Sequence, residues 1–280
     1  MPVANENLLG TYLKDRRTKL DPAALGFPST RRRTAGLRRE EVAQRANVSA
    51  TWYTWLEQGR GGAPSANVLD RIANALMLTE VEREHIFLLA LGRPPEVRYH
   101  AAEGVTPRLQ RILDALEYSP AMLKTFTWDI VAWNRAAAAV LGDGGNELAP
   151  EQRNILRRIF CDPNVRARQT DWEGVARFAV GTFRADVARA GASKEVEALV
   201  DELMRISPEF ETIWRDNDVR GHGEGLKYLK HPLGGMIGLE YSAFAVDGRP
   251  DLSMVIYHPA TPADVEQIRT LMKSLPETAR

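Results

Sequence analysis

LRREEVAQRANVSATWYTWLEQG, residues Leu37 to Gly59, sets one helix-forming run against another across a short polar break. Two short helices that pack at a steep angle need a small residue where they touch, a turn residue that tolerates positive φ, and apolar anchors on both. Ala43 is the small contact residue. Val42, Ala46, Val48, Tyr53 and Leu56 are the anchors. Asn47 stands at the turn, where glycine is usual and asparagine, with its short polar side chain, is the next best choice. Ser49 is placed to cap the second helix. The stretch therefore reads as a helix-turn-helix.

With Tyr53 and Leu56 turned to the core, the outward face of the second helix carries Ala50, Thr51 and Thr54. Their methyl groups suit thymine methyls, and the threonine hydroxyls suit several base edges, so double-stranded DNA is the expected partner. Ser49, Arg38, Arg39 and Arg60 are the expected phosphate contacts. The Arg31 to Arg33 run either extends that footprint as an arm or is simply solvated. One or both of Trp52 and Trp55 are expected to pack on the first helix or the second domain rather than on bases. Glu57 is read as structural, pairing with a base or closing the loop, rather than as a catalytic acid.

Charge supports the division of labour. From Leu8 to Arg60 there are eleven bases against five acids, although the whole chain sums to zero. A basic segment joined to an acidic remainder suggests that one part meets a polyanion and the rest does something else. At 280 residues, 44% apolar and 26% charged, the chain has the composition of a folded protein. No apolar run is long enough to span a membrane, and Met1 to Asn7 lacks the features of a secretory signal, so no membrane partner and a cytoplasmic location are expected. The lone Cys161, read as a small buried hydrophobe, fits a reducing compartment.

Reading outward, Leu8 to Lys19 is an amphipathic helix, and Asp21 to Thr34 is rich in breakers. Ser65 to Leu76 is a helix with Val68, Ile72 and Leu76 on one stripe, and Thr79 with Glu82 forms a capping box for a helix to Leu91. Gly92, Pro94 and Pro95 end it. The expected organisation is a mainly α domain over 1–93, a linker over 94–104 and a second domain over 105–280. In the second domain Thr106 and Pro107 cap a helix, Ala121 to Thr127 and Ile130 to Trp133 read as strands, and Asn134 caps an alanine-rich helix. Helices follow at Pro150 to Phe160, Asp171 to Ala190, Lys194 to Ile206 and Pro208 to Asp216. Three further strands, Gly225 to His231, Met236 to Phe244 and Leu252 to His258, precede a closing helix capped by Thr261. The fold class is therefore a helical N-terminal domain plus an α+β C-terminal domain.

LRREEVAQRANVS followed by WYTWLEQGRG resembles the repressor-like Xre family of helix-turn-helix domains, with Glu57 and Gly59 closing the recognition helix. PAMLKTFTWDIVAWNRAAA, WEGVARFAVGTFRADVA, SPEFETIWRDNDVR, GLKYLKHPLGGMIGLEY and MVIYHPATP resemble the MmyB-like regulators. That resemblance implies a PAS-like ligand-binding domain with an antiparallel sheet, and a one-component regulator that takes a small molecule in one domain and DNA in the other.

The residues themselves point the same way. The second domain is rich in large aromatics, and apolar pockets with a few polar anchors are where small ligands sit. Phe126, Trp128, Trp133, Trp172, Phe178 and Trp214 are the candidate ligand contacts. Arg177 either meets an acidic head group or makes a surface ion pair. The expected ligand is apolar or amphipathic, with fatty acids among the possibilities, and a homodimer is the expected assembly. A filled, ligand-free dimerisation module is the alternative. No catalytic residue, metal or cofactor is expected: His85, His100, His222, His231 and His258 are dispersed, and neither a zinc spacing, a nucleophile elbow nor a phosphate loop occurs. GHGEG at 221–225 precedes a strand, which argues against a nucleotide loop.

Overall fold

The computed structural model describes residues 7–28, 32, 36–60, 62–95, 104–142, 150–190, 194–222 and 225–275. Arg31, Arg33, His100 and most of the expected linker lie outside them. The chain divides into two compact units, Met1–Pro95 and Glu96–Arg280.

The first unit is all helical: α1 (Leu8–Lys19), α2 (Arg39–Ala46), α3 (Ala50–Glu57), α4 (Ala66–Ala75) and α5 (Glu80–Leu91), with a short 3-10 turn at Ala23–Leu25 that the breaker-rich stretch concealed. Leu13, Leu37, Val42, Ala46, Tyr53, Leu56, Leu69, Ile72, Ile86 and Phe87 form its core. Four of the five α-helices start on a side-chain cap, the first of them on Asn7, which accepts from Gly10 N. Ser49, Ser65 and Thr79 accept backbone N–H bonds as N-caps, and Thr79 with Glu82 completes the capping box. Asn47 adopts φ 51° between α2 and α3, as its position at the turn requires.

The second unit opens with α6 (Pro107–Asp114) and is built on an antiparallel five-stranded sheet in the order β2-β1-β5-β4-β3. The strands are β1 (Ala121–Thr125), β2 (Ile130–Trp133), β3 (Gly225–His231), β4 (Gly235–Ala245) and β5 (Leu252–Pro259). Between β2 and β3 run α7 (Arg135–Leu141), α8 (Ile155–Cys161), α9 (Pro163–Ala167), α10 (Trp172–Ala190), α11 (Lys194–Ile206) and α12 (Pro208–Arg215), and α13 (Pro262–Ser274) closes the chain. The expected combination of a helical domain and an α+β domain is thus present. Register sets Met122 opposite Val255 and Trp133, and Tyr241 opposite Gly225 and Tyr257.

Three local readings need correction. The helix expected over Pro150 to Phe160 is a 3-10 turn at Pro150–Arg153 followed by α8, because Asn154 has extended backbone and its side chain caps the N–H groups of Leu156 and Arg157. The first strand stops at Thr125, where the chain turns so tightly that Trp128 takes φ 65°. A bulky residue at positive φ is strained, by about 1–2 kcal/mol, and persists only where its surroundings hold it. Cys161, expected buried, is exposed.

Candidate functional site

In the helix-turn-helix, Ser49 Oγ accepts from Trp52 N at 3.0 Å, fixing the start of α3. Ala50 and Thr51 are exposed and Thr54 is half-buried. The Thr54 hydroxyl donates to Ala50 O at 2.8 Å, which leaves its oxygen free to act as an acceptor. Arg38, at the start of α2, and Arg60, just past α3, are exposed. Trp52 packs against the helical core as expected, but Trp55 is 49% exposed. It recurs one turn after Thr51, so α3 presents a large apolar ring beside Thr51.

Glu57 is structural, as anticipated, and it binds two bases. Its carboxylate receives Arg17 Nε at 2.6 Å and Arg39 Nε at 2.6 Å, while Arg17 Nη1 also donates to Leu37 O at 2.6 Å. One buried carboxylate therefore ties α1, the start of α2 and the end of α3 together. Arg39, expected to be a plain phosphate contact, is held by that carboxylate on one edge and remains 39% exposed. Burial, reinforced by Glu57, pushes the Tyr53 phenol well above its ordinary range. Arg32 grips Glu41 through two hydrogen bonds of 2.6 and 2.9 Å, and its guanidinium holds that carboxyl below its usual range. Arg32 is thus a structural clamp rather than part of a free arm.

In the second unit, the inner face of the sheet and helices α7, α8 and α10 enclose a cavity of about 660 Å³. Apolar groups dominate its wall, among them Met122, Ile130, Ala138, Leu141, Ile155, Val175 and Val255. Of the expected ligand contacts, Trp128, Trp133 and Phe178 line it. Phe126, Trp172, Arg177 and Trp214 lie elsewhere. Phe126, Trp172 and Trp214 pack into the core among α8, α10, α11 and α12, behind the cavity wall that Ile155, Ile159 and Val175 supply. There Trp214 stacks on Phe210 at 5.7 Å, and the Trp172 indole donates to Ile159 O at 2.9 Å. Arg177, one residue before Phe178, is swung about 100° around the helix. It makes ion pairs of 3.0 Å to Glu173 and 2.7 Å to Asp216, the surface alternative named for it.

Polar groups distant in sequence meet beside this cavity. Asp186, on α10, accepts from Lys124 Nζ at 2.9 Å, Trp128 Nε1 at 2.9 Å and His222 Nε2 at 2.8 Å. The other nitrogen of His222 contacts the Tyr241 hydroxyl. Asp186 carries a carboxyl that burial would raise, but its partners, His222 foremost, hold it well below the usual range. Lys124 is pushed down to about 8 by burial, with Asp186 opposing the shift. The network explains the strained Trp128, whose indole is fixed by Asp186 and lies under the Lys124 ammonium at 4.2 Å.

The chain of hydroxyl, imidazole and carboxylate has the connectivity of an activated nucleophile. Burial raises the Tyr241 phenol far above neutrality, however, so it acts as a neutral hydrogen-bonding group. The sequence reading had found no cluster of titratable groups here. One local signal exists: Lys124 stands two residues after Met122 in β1, so the two share one face of the strand.

A helix-turn-helix unit and a cavity-bearing α+β unit in one chain define a two-domain transcription regulator. Residues 105–271 match the MmyB-like transcription regulator ligand binding domain, and residues 8–86 match a helix-turn-helix domain. The chain belongs to the MmyB-like transcription regulators. No curated protein matches it. Among the described residues no helix is long and apolar enough to cross a membrane.

Proposed function

We propose that this chain is an Xre-type, one-component regulator that binds an inverted DNA repeat as a homodimer in the cytoplasm and changes its DNA occupancy when an apolar or amphipathic molecule, fatty-acyl-like in character, enters the second domain. Its functional division follows 1–93, 94–104 and 105–280. The observation that carries the reading is the cavity of about 660 Å³, walled largely by apolar side chains, within the domain that accompanies the recognition helix. A site of this size and lining suits a small ligand and needs no resident cofactor. The antiparallel strand order β2-β1-β5-β4-β3, with flanking helices, supports the PAS-like comparison.

In this reading α3 enters the major groove. Ala50, Thr51 and Thr54 meet base edges, and Ser49, Arg38, Arg39 and Arg60 meet phosphates. Two copies related by a twofold axis address half-sites about 34 Å apart. Trp128, Trp133 and Phe178 are the ligand contacts retained from the sequence. No catalytic role is assigned. Ligand matters to the extent that it binds the DNA-competent and incompetent states unequally, a hundredfold difference being about 2.7 kcal/mol.

A second reading, a ligand-free dimerisation module, is favoured by the exposed Leu226, Tyr228, Met236 and Phe244, which share one face of β3 and β4 by register. Native mass spectrometry of the purified protein, with thermal shifts across a panel of acyl compounds and DNA binding to fragments flanking its own gene, separates the two. A bound small molecule, or an acyl-dependent shift accompanied by altered DNA affinity, supports the regulator. Specific DNA binding with neither supports the module.

A further inference from the structure

We propose that Lys227 is the anchor for a carboxylate head on the molecule that fills the cavity, an inference resting on the cavity being the ligand site. Lys227 lies on β3, the edge strand, opposite Leu239 and on the same face as the buried Leu229. That face looks inward. Its ammonium sits 5.9 Å from the centroid of the Tyr257 ring, and both residues line the cavity.

The other cations of the wall are occupied or outside. Lys124 has Asp186 at 2.9 Å. Arg158 donates to Leu141 O, and Arg168 donates to Val140 O and Gly142 O. Arg220 is exposed to bulk water. Among the described residues Lys227 has no hydrogen-bond acceptor and no carboxylate, and the charged neighbour acting on it is Arg168, of like sign. Lys227 is half-buried, and a partly desolvated cation held without a counter-ion beside an apolar chamber gains most when a ligand supplies the missing charge. Burial, with Arg168 adding to it, already pushes the amine down to about 8, which is the cost of leaving it unpaired.

Sheet order then gives the ligand a direction. β3 is one edge, while Met122, Ile130 and Trp133 stand on β1 and β2 at the opposite edge. Strands lie nearly 5 Å apart, so head and tail positions are on the order of 15 to 20 Å apart across the sheet. A compact acid would reach Lys227 but leave the far apolar wall uncovered. The geometry therefore selects a long amphiphile with its carboxylate at Lys227 and Tyr257, its chain crossing Tyr241 and Val255, and its end against Trp133.

The test compares dodecanoate, methyl dodecanoate and dodecanol on the full-length protein by displacement of an environment-sensitive fluorophore. Wild type should bind dodecanoate at least about tenfold tighter than the ester, equivalent to about 1.4 kcal/mol. Lys227→Met should bring dodecanoate down to the level of the ester while leaving ester affinity unchanged, which also reports an intact cavity. Lys227→Arg should keep the preference for the acid. If Lys227→Met fails to bind the ester or to fold, Lys227→Gln takes its place. Equal binding of acid and ester by wild type, or a preference that survives loss of the lysine, overturns the anchor but spares the cavity. Failure of all three amphiphiles to displace the probe overturns the apolar-ligand reading, and the anchor with it.

Discussion

Glu57 Oε1 lies 2.6 Å from Nε of Arg17, and the two side chains are 1% and 7% exposed. A pair this deep adds little over a well-packed apolar pair, but removing one partner strands the other charge in the core. Glu57→Ala should therefore cost about 3–5 kcal/mol in the unfolding of the N-terminal unit. Urea titration followed by the fluorescence of Trp52 and Trp55 reads the loss. Replacing both residues by Met should recover part of it. A Glu57→Ala variant within about 0.5 kcal/mol of wild type, the range of an ordinary surface change, would show that the carboxylate does not hold the three helices.

Arg39 shares that carboxylate from the rim, so its role in DNA binding differs in kind from that of the outward face of α3. Arg39→Ala should weaken binding to all sequences alike and lower the slope of log affinity against log salt by about one. Thr51→Val and Trp55→Ala should instead change which operator sequence is preferred, at unchanged salt slope. Trp55→Ala removes a ring that is 49% exposed, so stability should move by less than about 0.5 kcal/mol. A selection from randomised operators that returns the same consensus for all three variants would displace α3 from the major groove.

The motif was legible because its constraints are local: a small residue, a turn residue, a cap and four or five anchors within one short stretch. The same holds for Thr79 with Glu82 and for Thr261 with Asp264, whose side chains close capping boxes three residues apart. Asn154 escaped because its effect depends on distant partners, Thr127 O at 2.8 Å and Asp129 Oδ1 at 2.9 Å. The cavity was only partly legible for the same reason. Aromatic content pointed to Trp128, Trp133 and Phe178 but also to Trp172 and Trp214, which fill the helical core behind the cavity wall, and nothing local distinguishes the two groups. Lys124, Asp186 and Tyr241 come from three elements and His222 from the segment before β3, and Lys227 sits in a strand that reads as amphipathic. Convergence of that kind is a property of topology.

Alkaline pH should report on two lysines of the cavity wall, the buried Lys124 and the half-buried Lys227. Lys124 and Lys227 are each pushed down to about 8 in the folded chain, whereas an unfolded lysine titrates near about 10.4. Between those values the unfolded state binds more protons, so stability should rise with pH. Tyr257, pushed up to about 12, works in the opposite sense once pH passes about 10, because the unfolded phenol loses its proton first. Urea midpoints of the second domain should climb from pH 8 to about 10 and then turn over. Lys227→Met should flatten that climb and add on the order of 1 kcal/mol at pH 7, since Arg168 and Tyr257 then face a neutral side chain. Parallel curves for variant and wild type would mean that the ammonium is already solvated.

If ligand occupancy controls DNA binding, occupying the space with protein should uncouple the two. Ala138 on α7 lines the cavity and is incompletely buried, so a larger side chain there can grow into open volume rather than into packed neighbours. Overpacking a filled core usually costs about 1–3 kcal/mol, whereas filling existing space costs less. Ala138→Trp should therefore unfold within about 1 kcal/mol of wild type. It should abolish binding of dodecanoate, of its ester and of the alcohol alike, unlike Lys227→Met, which spares the ester. Its affinity for operator DNA should stay fixed at one value while that of wild type moves with added amphiphile. Which value it takes carries information of its own: a variant locked at the ligand-free affinity means that the added ring only blocks entry, and one locked at the ligand-bound affinity means that filling the chamber is itself the signal. Wild-type affinity that ignores the amphiphile, or a variant that still responds to it, would detach the cavity from control of the recognition helix.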